Sequence, residues 1–342
     1  YANGYLDRKT RVYDLAGTAL PQVKIPEKKV QRLALCGERL YWGTDEGVIG
    51  SHTFDGRDRM ELGRVTAPVR RIACNDEISI ASLDGDRNVD LWPISNNGGS
   101  RVRLNSQGIS VTDINSFEGT TIVANDSKKI YKVAAGNPPI AWFDLDISPA
   151  RIAMNRKNSM LAAGTSGAAE IQLVGVDPAF RTAPFEAHAG MLFDLAFLPW
   201  SDRLVSVGVF GGATSLTLSV WDTSGKLVST VEAHKTIATA LAIDPINRIV
   251  ATGGSDGAVR LWDDKLNKVG PDIMKGSELI QALAFSRDAT VLAASDNDQI
   301  TLTGLSDWYL LSHACGRAMA HTRVKTGGSD SLEHRVKAVC ER

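Results

Sequence analysis

Few side chains in this 342-residue chain are placed to do chemistry. His313, Cys315, His321, His334 and Cys340 gather near one end, in the order H-x-C-x5-H-x12-H-x5-C. Four imidazole or thiolate groups can hold zinc, but this spacing matches no common structural zinc pattern. The thiols Cys315 and Cys340 are therefore expected to pack or to bridge. Asp84, Asp86, Asn88 and Asp90 stand in DGDRNVD, which spaces oxygen donors as a calcium loop does. The sixth position of such a loop needs glycine for its sharp turn, and Val89 stands there. A turn between strands accounts for these residues better. The chain holds no G-x-S-x-G, no phosphate-binding loop and no H-E-x-x-H. Its carboxylates are spread among turns, with no evident acid–base pair. No catalytic residue, no metal site and no cofactor is expected, and the chain is read as a non-enzyme.

Composition narrows the partners. The chain carries 38 Lys and Arg against 39 Asp and Glu, a formal net charge of -1. That balance argues against coating a nucleic acid or an acidic membrane through bulk charge. The longest apolar run, Met191 to Trp200, is broken by Asp194 and Pro199 and is far short of a membrane span. A single hydrophobic core stops growing near about 250–300 residues, so the length calls for two domains or for repeats.

Repeats are present. Seven segments share the form apolar-x-x-apolar-small-apolar and start at Val30, Val69, Val111, Pro149, Leu192, Ala238 and Ile280. The steps between them are 39, 42, 38, 43, 46 and 42 residues. Each is followed by a turn, a second apolar run, a Gly/Asp/Asn-rich turn and a third alternating run such as Asn88–Trp92 or Ala258–Trp262. Short runs rich in Val, Ile, Leu and Thr between turn formers read as strands. Three or four antiparallel strands in a period near 40 residues suit the blades of a β-propeller. Stacked radially, each blade covers the apolar faces of its neighbours.

One repeat carries a specific signature, HKTIATALAIDPINRIVATGGSDGAVRLWDD from His234. It resembles a WD repeat. In that family a His, a Ser or Thr, an Asp and a Trp form a hydrogen-bonded tetrad, and the matching residues are His234, Thr252, Asp256 and Trp262. His188 with Val220-Trp221-Asp222 makes a less regular match, and Trp92 a third without an upstream His. The resemblance covers roughly residues 28–305 and implies an all-β, seven-bladed propeller of WD-repeat type. Cys36 and Cys74, ending the first strands of adjacent blades, are expected to be buried thiols.

The ends complete the domain reading. Residues 1–27 hold a strand pair, Thr10–Leu15 and Ala19–Ile25, whose second member is expected to close the last blade and remove its open edge. Residues 28–305 form the propeller. Residues 306–342 form a helical C-terminal tail, with Trp308, Leu311, Cys315 and Met319 on one helical face and a second helical stretch at Ser331–Cys340. This tail is similar to the ending of propellers found C-terminally in bacterial multidomain proteins with STAND/NACHT, TIR or caspase-like effectors. The chain opens at Tyr1 in mid-repeat, so it is expected to be a piece of a longer protein.

In this frame one position near the start of each innermost strand faces the channel: Arg32, Arg71, Asp113, Arg151, Asp194, Ala240 and Ala282, with Arg70 beside Arg71. A guanidinium offers a planar fork of donors, so a partly basic mouth suits an acidic peptide or another anion. The competing reading is mutual Arg–Asp pairing across the channel. The resemblance implies a cytoplasmic interaction or sensor module in signalling or defence. Its expected partner is a protein, a peptide or the upstream effector domain, with oligomers possible through the parent protein. The alternatives are a structural scaffold or, from another class, a lactonase-like or quinone-dependent propeller enzyme.

Overall fold

The computed structural model describes residues 22–305, apart from positions 26, 28, 55, 76–78, 95–100, 105–108, 118, 135–136, 156, 158, 176–179, 210–215, 236–237 and 277. The strand at Thr10–Leu15 and the helical tail at 306–342, with its His and Cys cluster, lie outside the described residues.

The described strands form seven four-stranded antiparallel sheets. Six follow chain order. In the seventh, Gln22–Ile25 pairs with Ile300–Gly304 as the outer strand of the sheet whose inner strand is Ala282–Phe285. The pairing runs from Gln22 opposite Thr303 to Ile25 opposite Ile300. The two ends of the propeller thus share one sheet, and the edge of Ile300–Gly304 is covered by a strand from the other end. The fold is the all-β seven-bladed propeller read from the repeat, with no helix among the described residues.

The core sits between the sheets. The buried apolar side chains fall into seven clusters, and each joins two neighbouring blades. Val30 and Trp42 of the first blade meet Ile25, Ala282, Ala293 and Leu302 of the last across the closing seam. Second strands such as Met160–Gly164 and Ile249–Gly254 are buried along their whole length, because both faces lie against a neighbour. Alternation is therefore weak in these strands, as expected for two-sided burial. Glycines let adjacent blades approach. A Cβ on Gly164 would stand 2.2 Å from Leu192 Cδ2, and one on Gly253 would stand 2.5 Å from Ile280 Cγ2. In both cases the first apolar residue of the next repeat fills the space a side chain would take.

Polar relays pin the blades. Trp262 Nε1 donates to Thr252 Oγ1 (2.9 Å), which meets His234 Nε2 (2.9 Å), and His234 Nδ1 meets Asp256 Oδ1 (3.0 Å). Arg260 Nη1, which can only donate, also contacts His234 Nδ1. Arg260 adds a bond to Asp256 Oδ2 (2.8 Å). The preceding blade repeats the relay with a change of partner. Trp221 Nε1 and His188 Nε2 share Ser206 Oγ (2.8 Å each), but Nδ1 of His188 meets Thr217 Oγ1 (3.1 Å) in place of an aspartate. In the second blade Trp92 Nε1 donates to Ser82 Oγ (2.8 Å). Asp84 and Asp90, weighed as calcium donors, are engaged separately. Asp84 caps the turn through Asn88 N (2.9 Å), and Asp90 pairs with Arg101 (2.8 Å) and Arg103 (3.1 Å).

The structure corrects one expectation. Cys36 and Cys74 are bonded as a disulfide, with their Cα atoms 5.6 Å apart. They end the inner strands Val30–Cys36 and Val69–Asn75. The two positions are one residue out of register, Cys36 last in its strand and Cys74 next to last in its own.

Two outcomes test these relays. Thr252→Val preserves the shape but leaves the Trp262 and His234 nitrogens unpaired in a dry seam, so it should cost about 2–3 kcal/mol in chemical denaturation. Burial pushes His188 down from 6.5 to about 4. As pH falls below about 6.5 the unfolded chain takes up a proton that the folded chain refuses until about pH 4. Stability should therefore drop by about 3 kcal/mol across that window relative to His188→Gln, read as unfolding midpoints at a series of pH values.

Candidate functional site: the central channel

The channel is built by a recurring local device. In five blades the register between inner and second strand slips just before the channel position: at Val30/Arg32, Val69/Arg71, Val111/Asp113, Leu192/Asp194 and Ala238/Ala240. A bulge puts two residues opposite one and re-aims the side chain that follows. It turns Arg32, Arg71, Asp113, Asp194 and Ala240 inward at one level. Arg151 starts its strand directly opposite Gly164, without such a slip.

Arg71 spans the channel. Its Nε donates to Asp113 Oδ1 of the third blade (2.7 Å), and its Nη2 donates to Asp194 Oδ1 of the fifth (2.8 Å). Asp113 reaches on to the fourth blade, accepting from Ile152 N at Oδ2 (2.8 Å). One guanidinium thereby ties together blades two, three, four and five. Burial opposes the charges, but the attraction is stronger. Asp113 and Asp194 hold Arg71 above the usual arginine range, and Arg71 holds Asp194 below the usual carboxylate range. For Arg71 the reading of mutual Arg–Asp pairing is the one the geometry supports.

Arg32 and Arg151 behave differently and alike. Each bonds two backbone carbonyls: Arg32 those of Arg70 and Gln31 (both 2.5 Å), Arg151 those of Phe193 (2.8 Å) and Ala150 (2.7 Å). In both, Nε reaches the next blade, Nη1 reaches the preceding residue of the same chain segment, and Nη2 makes no hydrogen bond among the described residues. Neither meets a carboxylate among the described residues. Burial first, then the charges of Arg71 and Arg151, lowers Arg32 to about 10. Arg71 first, then burial, lowers Arg151. Both remain cationic at neutral pH, in a setting that disfavours their charge. Three guanidinium groups face two carboxylates here, leaving one positive charge in excess. Arg70 contributes its carbonyl to the ring while its side chain is exposed.

The Arg71 bridge separates two cups. The cup toward the strand starts, about 160 Å³, is lined by Arg32, Arg71, Arg151, Phe193, Asp194 and Gln281 among others. The cup toward the strand ends is larger, about 330 Å³, with Ile114, Met154, Leu195 and Leu241 in its wall beside Asn115 and Ser116, a more polar than apolar exposed lining, and Arg71 and Asp194 at its inner end. Ala240 and Ala282 keep the sixth and seventh blades small beside the first cup. Among the described residues no three His, Cys, Asp or Glu side chains converge as metal ligands would. The arrangement can bind an anion, and it holds no nucleophile–base pair. Sequence reasoning placed Arg32, Arg71, Arg151 and Asp194 in the channel. It missed Gln281, which precedes the strand, and Thr217, whose role depends on a hydroxyl replacing a carboxylate.

Comparison with known proteins supports a repeat architecture of one kind. Residues 225–263 match the family described as WD domain, G-beta repeat. The chain is 31% identical over 86 residues to Denticleless protein homolog B of Xenopus laevis, covering 25% of this chain and 11% of that protein. It is 33% identical over 84 residues to Denticleless protein homolog of Homo sapiens, covering 24% and 11%. It is 28% identical over 121 residues to Small ribosomal subunit protein RACK1y of Oryza sativa subsp. japonica, covering 35% of each. The matched part thus spans from about a tenth to about a third of the length of these relatives. The chain is a seven-bladed β-propeller that carries a WD repeat in its sixth blade.

Proposed function

We propose that this propeller is a non-enzymatic interaction module that holds an acidic segment of a protein partner at the arginine-bearing mouth of its channel. The observation that carries this reading is the pair Arg32 and Arg151. Both are partly buried, neither is paired with a carboxylate among the described residues, and both line one cup beside a bridge that already satisfies Arg71. An incoming carboxylate would supply the missing counter-charge and accept from the two free Nη2 groups, the strongest class of hydrogen bond available there. The cup is too small for more than a side-chain head group, so the rest of a partner would lie on the surrounding loops. Partial similarity to a protein named as belonging to the small ribosomal subunit agrees with a part in an assembly. We further place the module in the cytoplasm, as the recognition or autoinhibitory propeller of a larger bacterial signalling or defence protein. The similarity of the tail, Trp308 to Cys340, to the endings of such propellers motivates that placement.

A second reading is favoured by the same bonds. Arg32 and Arg151 stitch each inner strand to the next blade, which suits a purely structural scaffold. The double variant Arg32→Gln/Arg151→Gln separates the two, and it leaves Arg71 in place so that Asp113 keeps its partner. On the binding reading, affinity for a fluorescently labelled oligoglutamate peptide at low salt falls at least tenfold while the unfolding midpoint changes little. Unchanged anisotropy titrations with a lowered midpoint would leave the scaffold reading standing alone.

A further inference from the structure

The Cys36–Cys74 bridge is placed unevenly. Cys36 is buried in the seam between the first two blades, 3% exposed, among Tyr41, Ile49, Val65, Ile80 and Trp92. Cys74 is partly exposed and lines the larger channel cup. Cys74 also packs against the apolar cluster that buries Cys36, but of the two residues it is the one on the channel side. The cup, about 330 Å³, admits a small molecule.

We propose that Cys74 is a thiol–disulfide exchange site for low-molecular-weight thiols that enter by the larger mouth of the channel. The thiolate attacks Cys74 Sγ and forms a mixed disulfide there. The Cys36–Cys74 bond breaks, and its electron pair leaves on Cys36 sulfur, which takes a proton from water. A second thiol removes the adduct as the external disulfide and leaves Cys74 reduced. The reverse sequence closes the bridge when the small disulfide is in excess. Attack at Cys74 is dictated by access, one of the controls on exchange. The leaving Cys36 thiolate forms in an apolar seam that disfavours its charge, so it protonates or recloses quickly. Opening removes the covalent tie between the first two blades, which lie next to the closing seam. The site is independent of the arginine cup, which lies on the other side of the Arg71 bridge.

The bond's ends fall in separate tryptic peptides, Leu33–Arg39 and Ile72–Arg87. The full chain, purified without reductant, is treated with limiting 2-mercaptoethanol, acid-quenched and mapped by mass spectrometry. The expected adduct lies on Ile72–Arg87, and opening the bond lowers the melting temperature by roughly 5 °C. In the folded protein, Cys36→Ser should let Cys74 react with maleimide at least tenfold faster than Cys36 does in Cys74→Ser. An adduct on Leu33–Arg39, equal labelling of the two variants, or unlinked peptides before any thiol is added would each overturn the proposal.

Discussion

A four-stranded blade has two apolar faces and cannot bury either alone. Everything else in this molecule follows from meeting that constraint by closing a ring. Seven seams replace one core, and each depends on the next blade being in place. The ring closes only because Gln22–Ile25 completes the sheet of Ile300–Gly304, so the two ends of the propeller hold each other. Glycines at Gly164 and Gly253 set how near two blades can come, and in five blades a bulge after the strand start sets which side chain faces the axis.

Closure also creates the channel and its electrostatics. Seven inner strands at one level present seven side chains to a narrow, poorly solvated space. A charge there must be neutralised or bear a cost. Arg71 meets the demand with two carboxylates from other blades. Arg32 and Arg151 meet it only in part, through carbonyls, which explains why burial and neighbouring charge depress them while Arg71 is raised. The asymmetry is a property of the ring and of no single blade. It is the reason the two cups differ, one bearing Arg32 and Arg151 and the other lacking them.

The architecture was legible because repetition averages out local ambiguity. His234, Thr252, Asp256 and Trp262 sit at repeat-defined positions, and the same frame located Arg32, Arg71, Arg151 and Asp194 on the inner strands. What the repeat could not convey was which of these charges pair. Arg71 and Asp194 are 123 residues apart and three blades around the ring, and their contact depends on channel width and bulge geometry. The same holds for Cys36 and Cys74, whose bond needs two strand ends to converge by curvature. It holds for Thr217, which does an aspartate's work from a different strand. Composition and spacing describe a blade, whereas these features belong to the closed ring.

The central claim is that the mouth bearing Arg32 and Arg151 receives an acidic segment, and backbone hydrogen exchange tests it most directly. With oligoglutamate added at low salt, the account predicts slowed exchange confined to the starts of the inner strands near Arg32, Arg151 and Phe193, where the two guanidinium groups bond the backbone. It also predicts that this protection fades as salt is raised. Protection at the outer strands, or no change at any concentration, would contradict it.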